Sequence, residues 1–557
     1  MRNSLVYTVA VATVLAVALV YWPTLHGDFV WDDWRSFHDT PWLTQGDLWK
    51  HYIFRDFNSW TYYFRPLPLA LFTLQVRLFH ATPGPMHAVS LGLHLLDMLL
   101  VGALAWRLGM LAKHAPKAVA GMALLCMLLY GLHPALIEPV SWIGCQFDLI
   151  ATGFMLTALL ANAWIARTWL RAATIGLAFF LAACSKESAA AFPLLLLVFD
   201  WVGYAYKAGD GFITRIKALL ARNLSVYLTV LAAGVAYLGF RFWALGGITS
   251  SFEVHSATPL ARLQEICFVC FNYWRVLVWP VADMSPIHPY ETQWFAHASP
   301  LLISVAAAVI GILALSVYAA LRRGSVTACI VLAATLALLP VLHIVPVQFE
   351  QSLYHERYAM MSIAIICSML PLLPWASPQG KTVARIVRLL ATTTLLFWLA
   401  FAIIDIRLIV PNWASDTQLW SWALYLKPHA SQAKDNLLHT YMKNGDAAAT
   451  RKLGDRILAD SMPCTYCTLV IAKLALDEND PLRAQLALEK SAQSPRLFQD
   501  SDMLHDYYLY AGRLLAMQGR HEEAVIALRK ALLLSPGDTA ARGLLQDVMQ
   551  LPSQTIR

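Results

Sequence analysis

Long apolar segments constrain this chain more than any other feature of its sequence. The segment from Leu5 to Tyr21 is long enough to cross a bilayer, and it ends at Trp22-Pro23, an interfacial aromatic residue followed by a helix stop. Similar segments recur as far as Val410, and hydrophobic residues make up 58% of the 557 residues, against 14% charged. Lipid cannot satisfy backbone hydrogen bonds, so segments of this length predict an all-α, polytopic membrane protein.

The apolar segments and the charges between them predict a topology. Apart from the first segment, spans are expected at 86–106, 119–132, 147–169, 174–184, 189–206, 224–240, 301–321, 327–345, 360–375 and 389–410. The segment 67–79 is shorter and suits an interfacial helix, whereas 263–281 carries Glu265, Asn272 and Arg275 and is amphipathic.

Basic clusters favour the cytoplasmic side of a membrane. If the N-terminus is cytoplasmic and 263–281 lies in the interface or re-enters, all the basic clusters between the spans are cytoplasmic, which gives about eleven spans. The first loop, 23–85, and the C-terminal tail are then exoplasmic. The net charge of +7 therefore reflects topology and does not indicate nucleic-acid binding.

The tail after residue 412 has a different character. The stretch from Gly519 to Ala531, followed by Pro536, is typical of the second helix of a tetratricopeptide repeat, and Tyr508 to Met517 supplies the first helix. Weaker copies precede it. We therefore expect a membrane domain at 1–412 and a repeat domain forming an α-solenoid at 413–557.

Two adjacent carboxylates, Asp32 and Asp33, lie among aromatic residues directly after the first span. Because like charges repel and partial burial penalises ionisation, such a pair is costly unless it acts as a base or holds a cation. The alternative is that Asp32 caps a short helix and Asp33 is solvated.

Polar residues at membrane depth are costly and are often functional. Five further groups of this kind interrupt the apolar sequence, and most lie near the exoplasmic ends of spans. They are Arg65, His94 with Asp97, His133 with Glu138 and Asp148, Lys186 with Glu187, and Glu356 with Arg357 and Tyr358. Each group alone is explained by a helix-end ion pair, but together they favour one shared site.

The order of these motifs resembles the TMTC family of transmembrane, tetratricopeptide-repeat-containing O-mannosyltransferases, which have the GT-C fold. The matching order is Asp32-Asp33, Arg65-Pro66-Leu67, His94, then His133 through Asp148, Lys186-Glu187, Glu356 through Tyr358, and finally the repeats. Gln146 departs from the pattern, which has an Arg two residues before the Asp.

The resemblance implies a lipid-linked sugar donor, transfer on the exoplasmic face, and a catalytic acidic pair at Asp32 and Asp33. The acceptor hydroxyl then needs a base, which a carboxylate can supply, and the departing phosphate needs cations, for which Arg65, Lys186 and Arg357 are the candidates. His94, His133, Glu138, Asp148, Glu187, Glu356 and Tyr358 would support them. No cofactor is required, although a divalent cation on Asp32, Asp33 or Glu138 is an alternative.

The expected function is therefore a membrane glycosyltransferase that moves a sugar from a polyprenyl phosphate to a hydroxyl, with a protein as the expected acceptor and partner of the tail. It would lie in a bacterial inner membrane with a periplasmic site, or in the ER membrane with a lumenal site. A non-catalytic repeat scaffold and a lipid-linked sugar transporter are the alternatives. For Cys464 and Cys467, a disulfide and two free thiols both stay open.

Overall fold

The computed structural model describes residues 2–40, 43–55, 63–205, 211–248, 258–280, 283–289, 292–344, 352–374, 381–462 and 464–550. Within these ranges the regular secondary structure is helical and no strand forms, as the sequence predicts. Contacts divide the chain into two compact units, the first comprising Met1–Pro286 with Tyr290–Ser415 and the second comprising Ile287–Pro289 with Asp416–Arg557. The predicted span ends at Tyr206, Val345 and Trp375 lie outside the described residues.

The described part of the first unit contains fifteen α-helices, several of them joined by short helical turns. These are α1 (Arg2–Tyr21), α2 (Leu48–Ile53), α3 (Pro66–Phe79), α4 (Pro83–Leu111), α5 (Pro116–Gly131), α6 (Ile137–Ser141), α7 (Gln146–Trp164), α8 (Thr168–Ala183), α9 (Phe192–Asp200), α10 (Phe212–Leu245), α11 (Pro259–Val278), α12 (Pro300–Tyr318), α13 (Val326–Leu338), α14 (Met360–Met369) and α15 (Lys381–Ile409).

Six helical segments among the described residues are long and apolar enough to cross a membrane. They are Val6–His26, Pro83–Leu111, Ile143–Trp164, Phe212–Leu245, Pro300–Arg323 and Thr382–Trp413, and a seventh results if the bent pair Pro116–Gly131 and Pro134–Ser141 is one span. The expected count of about eleven is therefore not confirmed. Several predicted spans form shorter helices: α8 has 16 residues and α9 has only 9.

One span forms the centre of the first unit. Within Ile143–Trp164, 72% of the most apolar 18-residue stretch is buried inside the protein. Within Phe212–Leu245, only 17% of the corresponding stretch is buried. Helix α7 packs against α4 and α8, and α8 packs against α10. The outer helices thus present apolar side chains outwards, which suits lipid, while α7 can carry polar residues at its buried start.

The second unit consists of eight helices in its described part. They are α16 (Asp416–Leu426), α17 (Ser431–Lys443), α18 (Ala447–Ala459), α19 (Thr465–Asp477), α20 (Pro481–Ala492), α21 (Ser501–Met517), α22 (His521–Leu534) and α23 (Thr539–Gln550).

Neighbouring helices of this second unit pack as helix-turn-helix pairs. Within α17–α18, α19–α20 and α21–α22, each turn contains one residue with positive φ: Gly445, Asn479 and Gly519. Asp446 and Asp480 then cap the following helices through backbone N–H groups three residues on. At the start of α19, Cys464 and Cys467 form a disulfide, one of the two alternatives that the sequence left open.

Candidate active site

The loop of residues 27–34, here called the aspartate loop, is held through both backbone groups of Asp28. Its Asp28 N–H donates to the carbonyl oxygen of Ala414 at 2.9 Å, and His87 Nε2 lies 3.3 Å from the carbonyl oxygen of Asp28. Trp31 has φ of 57°, a left-handed conformation rare for a bulky residue. The result is that the Trp31 ring stacks on Trp142, with centroids 4.7 Å apart and planes 9° from parallel.

The two aspartates of this loop have different environments. Asp33 is only 1% exposed, and its Oδ1 accepts a hydrogen bond from the backbone N–H of Gly144 at 2.9 Å. Asp32 is exposed. Asp33 therefore ties the aspartate loop to the start of α7, whereas Asp32 is accessible to a substrate.

Arg357 lies against the Trp31–Trp142 stack. Its guanidinium carbon is 5.1 Å from the centre of the Trp142 ring and 5.9 Å from that of Trp31. Its Nη1 donates to Glu138 Oε1, and its backbone N–H donates to Glu138 Oε2 at 3.1 Å. Glu138 thus holds both the side chain and the backbone of Arg357 beside the aspartate loop.

Lys186 enters the same region from the break between α8 and α9. Its Nζ is 2.5 Å from Asp148 Oδ1 and 4.6 Å from the centre of the Tyr358 ring. Burial lowers the pKa of Lys186; the Asp148 carboxylate opposes this shift, and the charges of Arg65 and Arg357 add to it. The three predicted cations are therefore close enough to interact electrostatically.

Arg65 completes this group from the start of α3. Its Nε and Nη2 donate to Glu187 Oε2 at 3.0 and 2.8 Å, and its guanidinium lies over the Phe147 ring at 4.8 Å. Although burial alone would lower the pKa of Arg65, the Glu187 carboxylate raises it above its usual value. Arg241 Nη1 lies 3.4 Å from the other oxygen of Glu187.

Tyr358 lies between Lys186 and Arg357 and lines a small cavity. Its ring lies 4.6 Å from both Lys186 Nζ and the Arg357 guanidinium carbon. The cavity has a volume of about 20 Å³, and Asp148, Arg357 and Tyr358 line it together with apolar side chains of α7, α9, α13 and α14. We call Arg65, Lys186 and Arg357, with their partners Glu138, Asp148 and Glu187, the charged cluster.

Three of the predicted supporting residues lie elsewhere. His94 Nε2 is 3.1 Å from the carbonyl oxygen of Gly131, inside the bundle. His133 caps the turn after α5, because its Nδ1 accepts from the backbone N–H of Ala135. Glu356 Oε1 accepts from the backbone N–H of Ser285 at 3.4 Å. These contacts fix the backbone; none of them joins the charged cluster directly.

Gln146, where the family pattern has an arginine, has a structural role here. It is fully buried, and its Nε2 lies 3.1 Å from the Met86 carbonyl oxygen and 3.0 Å from Ser90 Oγ, while its Oε1 accepts from Gln75. Four polar groups satisfy one another at the start of α7. An arginine at this position would need an anion, which the Gln75, Met86 and Ser90 groups do not supply.

Two contributors to the site were missed by sequence reasoning. Arg241 lies within the long helix α10, where a basic residue near a helix end is read as a topology signal. The contact of Trp31 with Trp142 joins residues more than a hundred positions apart, and tryptophans near membranes are common. The positive φ of Trp31 has no sequence signal at all.

The structure does not assemble the alternative metal site. Among the described residues, no group of three or more His, Cys, Asp or Glu side chains is arranged to hold a metal ion. Asp33 and Glu138 are instead engaged by Gly144 and Arg357. Asp32, Asp33 and Glu138 therefore do not form a ligand set.

The fold and the site together define an integral membrane protein of helices in which buried cations and carboxylates pair with one another, with Arg357 lying against Trp31 of the aspartate loop. Comparison with known proteins adds one relative. The chain is similar to the mouse Protein O-mannosyl-transferase TMTC2, with 28% identity over 322 residues that cover 53% of this chain and 36% of the mouse protein. The chain thus matches about a third of that relative's length. No protein-family model matches the chain, and no solved structure matches it.

Proposed function

We propose that this protein is a GT-C-type glycosyltransferase that moves a sugar from a polyprenyl-phosphate donor to a hydroxyl group on the exoplasmic face of a membrane. The observation that carries the proposal is the convergence of Arg65, Lys186 and Arg357 from three distant parts of the sequence, with Arg357 lying against Trp31 of the aspartate loop. The similarity to a named O-mannosyltransferase supports it and favours mannose as the sugar to test first.

In this proposal the charged cluster binds the donor phosphate. Each of its cations already has a carboxylate partner, but one carboxylate does not use all five donors of a guanidinium or all three of an ammonium group. The remaining donors can point at phosphate oxygens. As the sugar leaves, negative charge grows on the phosphate, and cations fixed in advance by Glu138, Asp148 and Glu187 stabilise that charge without having to move.

Asp32 is the proposed general base. It is exposed, whereas Asp33 is buried and holds Gly144. The oxygen of the acceptor hydroxyl forms a bond to the anomeric carbon, the carbon–oxygen bond to the phosphate breaks, and the hydroxyl proton passes to the Asp32 carboxylate. The lipid phosphate keeps the electron pair of the broken bond, so a strong general acid is not needed.

The second unit is the proposed binding domain for a protein acceptor or partner. Its helix-turn-helix pairs support a tetratricopeptide-type solenoid, an architecture whose stacked pairs form an extended surface suited to peptides. The donor would then bind the first unit and the acceptor would be presented by the second.

Purified full-length protein in lipid nanodiscs, supplied with polyprenyl-phosphate mannose and a candidate acceptor protein, tests the proposal. Asp32→Asn should lower the transfer rate by about 10²–10⁴-fold, the usual contribution of a general base, while donor binding persists. The control is Asp39→Asn, an exposed aspartate in the same loop region. If Asp32→Asn transferred sugar at the parental rate, or if no polyprenyl-phosphate sugar were used, the proposal would be wrong.

A further inference from the structure

Aromatic side chains from two separate parts of the first unit meet near the C-terminal end of α10. The ring of Phe54, which directly follows α2, lies 5.8 Å from that of Phe240 and 6.2 Å from that of Trp243. The rings of Phe240 and Trp243 are stacked 5.8 Å apart, and Phe64 meets the Phe240 ring edge to face at 4.9 Å. We call these four residues the aromatic surface.

Two rings of the aromatic surface are open to the surroundings of the protein. Trp243 is 69% exposed and Phe54 is 40% exposed, whereas Phe64 is fully buried and supports them from inside. Single exposed tryptophans are common at the ends of membrane helices, where they anchor the helix in the interface. In this protein the rings contact one another across two segments of the chain, which holds them in a fixed arrangement. A fixed, exposed apolar surface of this kind suits an apolar ligand.

The aromatic surface adjoins the charged cluster at two places. Arg65 directly follows Phe64 in the sequence, and its Nη2 lies 2.8 Å from Glu187 Oε2. Arg241 directly follows Phe240, and its Nη1 lies 3.4 Å from Glu187 Oε1. Both arginines therefore bind the same carboxylate, and each is one residue away from a ring of the aromatic surface.

Helix α10 is fixed in this position by hydrogen bonds. The Tyr237 hydroxyl donates to the carbonyl oxygen of Phe64 at 3.5 Å, and Arg241 Nη1 donates to the same hydroxyl at 3.4 Å. Arg241 Nε donates to the Ile248 carbonyl oxygen at 2.9 Å, and the residue is only 8% exposed. Because two buried arginines share one carboxylate here, positive charge is in excess, which favours an anion.

Helix α10 also gives the aromatic surface access to lipid. Only 17% of its most apolar 18-residue stretch is buried inside the protein. Leu238 and Phe242, close to Trp243 on the same helix, are 42% and 56% exposed. An apolar chain lying in the bilayer can follow this helix as far as Trp243 without entering water. The ligand that fits the aromatic surface and the two arginines together has an apolar chain and an anionic head.

We propose that the aromatic surface binds the isoprenoid chain of the donor next to its phosphate, and that Arg241 acts with Arg65 as a further cation that positions that phosphate. This inference rests on the proposed function and adds to it the place where the lipid part of the substrate lies. The planar double bonds and methyl groups of isoprene units pack on the faces of Trp243 and Phe54. With the chain held there, the phosphate at its head lies beside the arginines that follow Phe64 and Phe240.

Binding of farnesyl phosphate, a short isoprenoid phosphate, to purified full-length protein in nanodiscs tests the chain site without any transfer assay. Trp243→Ala should weaken binding by about tenfold, as expected for the loss of a large ring contact. Trp243→Phe keeps a ring and should stay within about twofold of wild type. The matched control is Trp169→Ala, because Trp169 is 68% exposed on α8 and should not affect binding.

Farnesol, which has the same chain without the phosphate, separates the chain from the charge. Trp243→Ala should weaken binding of both ligands, whereas Arg241→Gln should weaken binding of farnesyl phosphate by about tenfold and leave farnesol unaffected. Unchanged farnesol binding also shows that Arg241→Gln is folded.

The outcomes distinguish this inference from the proposed function. If Trp243→Ala bound farnesyl phosphate as tightly as wild type, the aromatic surface would be only an interfacial anchor, and the proposed function would stand. Equal losses of farnesyl phosphate and farnesol binding in Arg241→Gln would overturn the role of Arg241. A wild-type protein that bound no isoprenoid phosphate would overturn the proposed function itself.

Discussion

Lys186 and Asp148 depend on each other in the structure. Their side chains are 9% and 7% exposed, and the two charges are 2.5 Å apart. A buried pair of this kind adds little net stability, but removing one partner leaves an uncompensated charge. The same lysine is proposed to hold the donor phosphate, so stability and binding must be measured apart.

A double substitution separates the two roles. Lys186→Met should destabilise the protein by about 3–5 kcal/mol, because Asp148 stays buried without its partner. Adding Asp148→Asn should restore most of that stability but not donor affinity, which should remain lower by about 10- to 100-fold, the equivalent of one lost charge-assisted hydrogen bond of about 1.5–3 kcal/mol. Thermal unfolding and donor titration measure the two effects, with Lys452→Met as the exposed control. Recovery of donor affinity in the double variant would contradict the assignment of Lys186.

Alanine substitutions of the two aspartates in the aspartate loop should have opposite effects on stability and on activity. Asp33→Ala leaves the Gly144 N–H without its acceptor and should cost about 1–3 kcal/mol of stability. Asp32→Ala, at an exposed position, should leave the unfolding temperature nearly unchanged while abolishing most transfer. Differential scanning fluorimetry alongside the transfer assay checks both; a stable Asp33→Ala or an unstable Asp32→Ala would reverse the roles given to the pair.

At the scale of single elements, the sequence predicts helices better than it predicts their ends. The span expected at 224–240 lies inside α10, which begins at Phe212 and takes in Arg215, Lys217 and Arg222. Arginine and lysine are good helix formers, so a basic stretch that marks topology need not be a loop. Because polar residues in apolar surroundings are costly without partners, the sequence indicates that Arg65, Lys186 and Arg357 share a site. The structure brings the three cations close together, and their function stays a prediction.

Pairing within the cluster could not be predicted. Arg357 and Glu138 are 219 positions apart, and only the packing of the helices shows that they meet. Likewise, Asp32 and Asp33 are the same residue type side by side, and nothing in the sequence says which one turns inwards. A single sequence does not show which side chains on distant helices pair with each other.

The turn after α18 has a pH-dependent contact. Asp460 Oδ2 lies 2.5 Å from Lys434 Nζ, and the lysine side chain is 3% exposed. Burial would raise the pKa of Asp460, but hydrogen bonds from Lys434 and from the Met462 N–H outweigh it and lower the pKa to about 2. In the unfolded chain the pKa of an aspartate is about 3.9. The contact with Lys434 therefore stabilises the fold fully above about pH 3.9, and this stabilisation is lost as the pH falls through about 2.

Asp460→Asn should therefore lower the stability of the second unit at pH 6, and the difference from wild type should shrink as the pH is lowered from 4 towards 2. Hydrogen exchange of the α17–α18 backbone in the full-length protein measures this effect. Asp455→Asn, whose carboxylate is exposed and pairs with Arg483, is the control. If the stability difference between Asp460→Asn and wild type grew as the pH was lowered, the pKa of Asp460 would be raised and not lowered in the folded protein.

For the whole molecule, the charge distribution predicts a cytoplasmic N-terminus, with the aspartate loop and the second unit exoplasmic. The Cys464–Cys467 disulfide is compatible with an oxidising compartment. A reporter that is active only in the cytoplasm should be inactive when fused after Pro411 and active when fused to the N-terminus. In addition, alkylation of the cellular protein without reductant should leave the peptide containing both cysteines unmodified. An active reporter after Pro411 would place the proposed site on the wrong side of the membrane.

The burial of α7 has a consequence for how the chain is made. This helix carries Asp148 and Asn162, which bond to Lys186 and Asp200, and both partners are synthesised after α7. While the chain is still emerging from the ribosome, those partners have not been made, and lipid cannot replace them. Helix α7 is thus poorly suited to entering the bilayer alone. A nascent chain halted after Trp164 should be retained by the insertion machinery or degraded, whereas one halted after α10 should be stable.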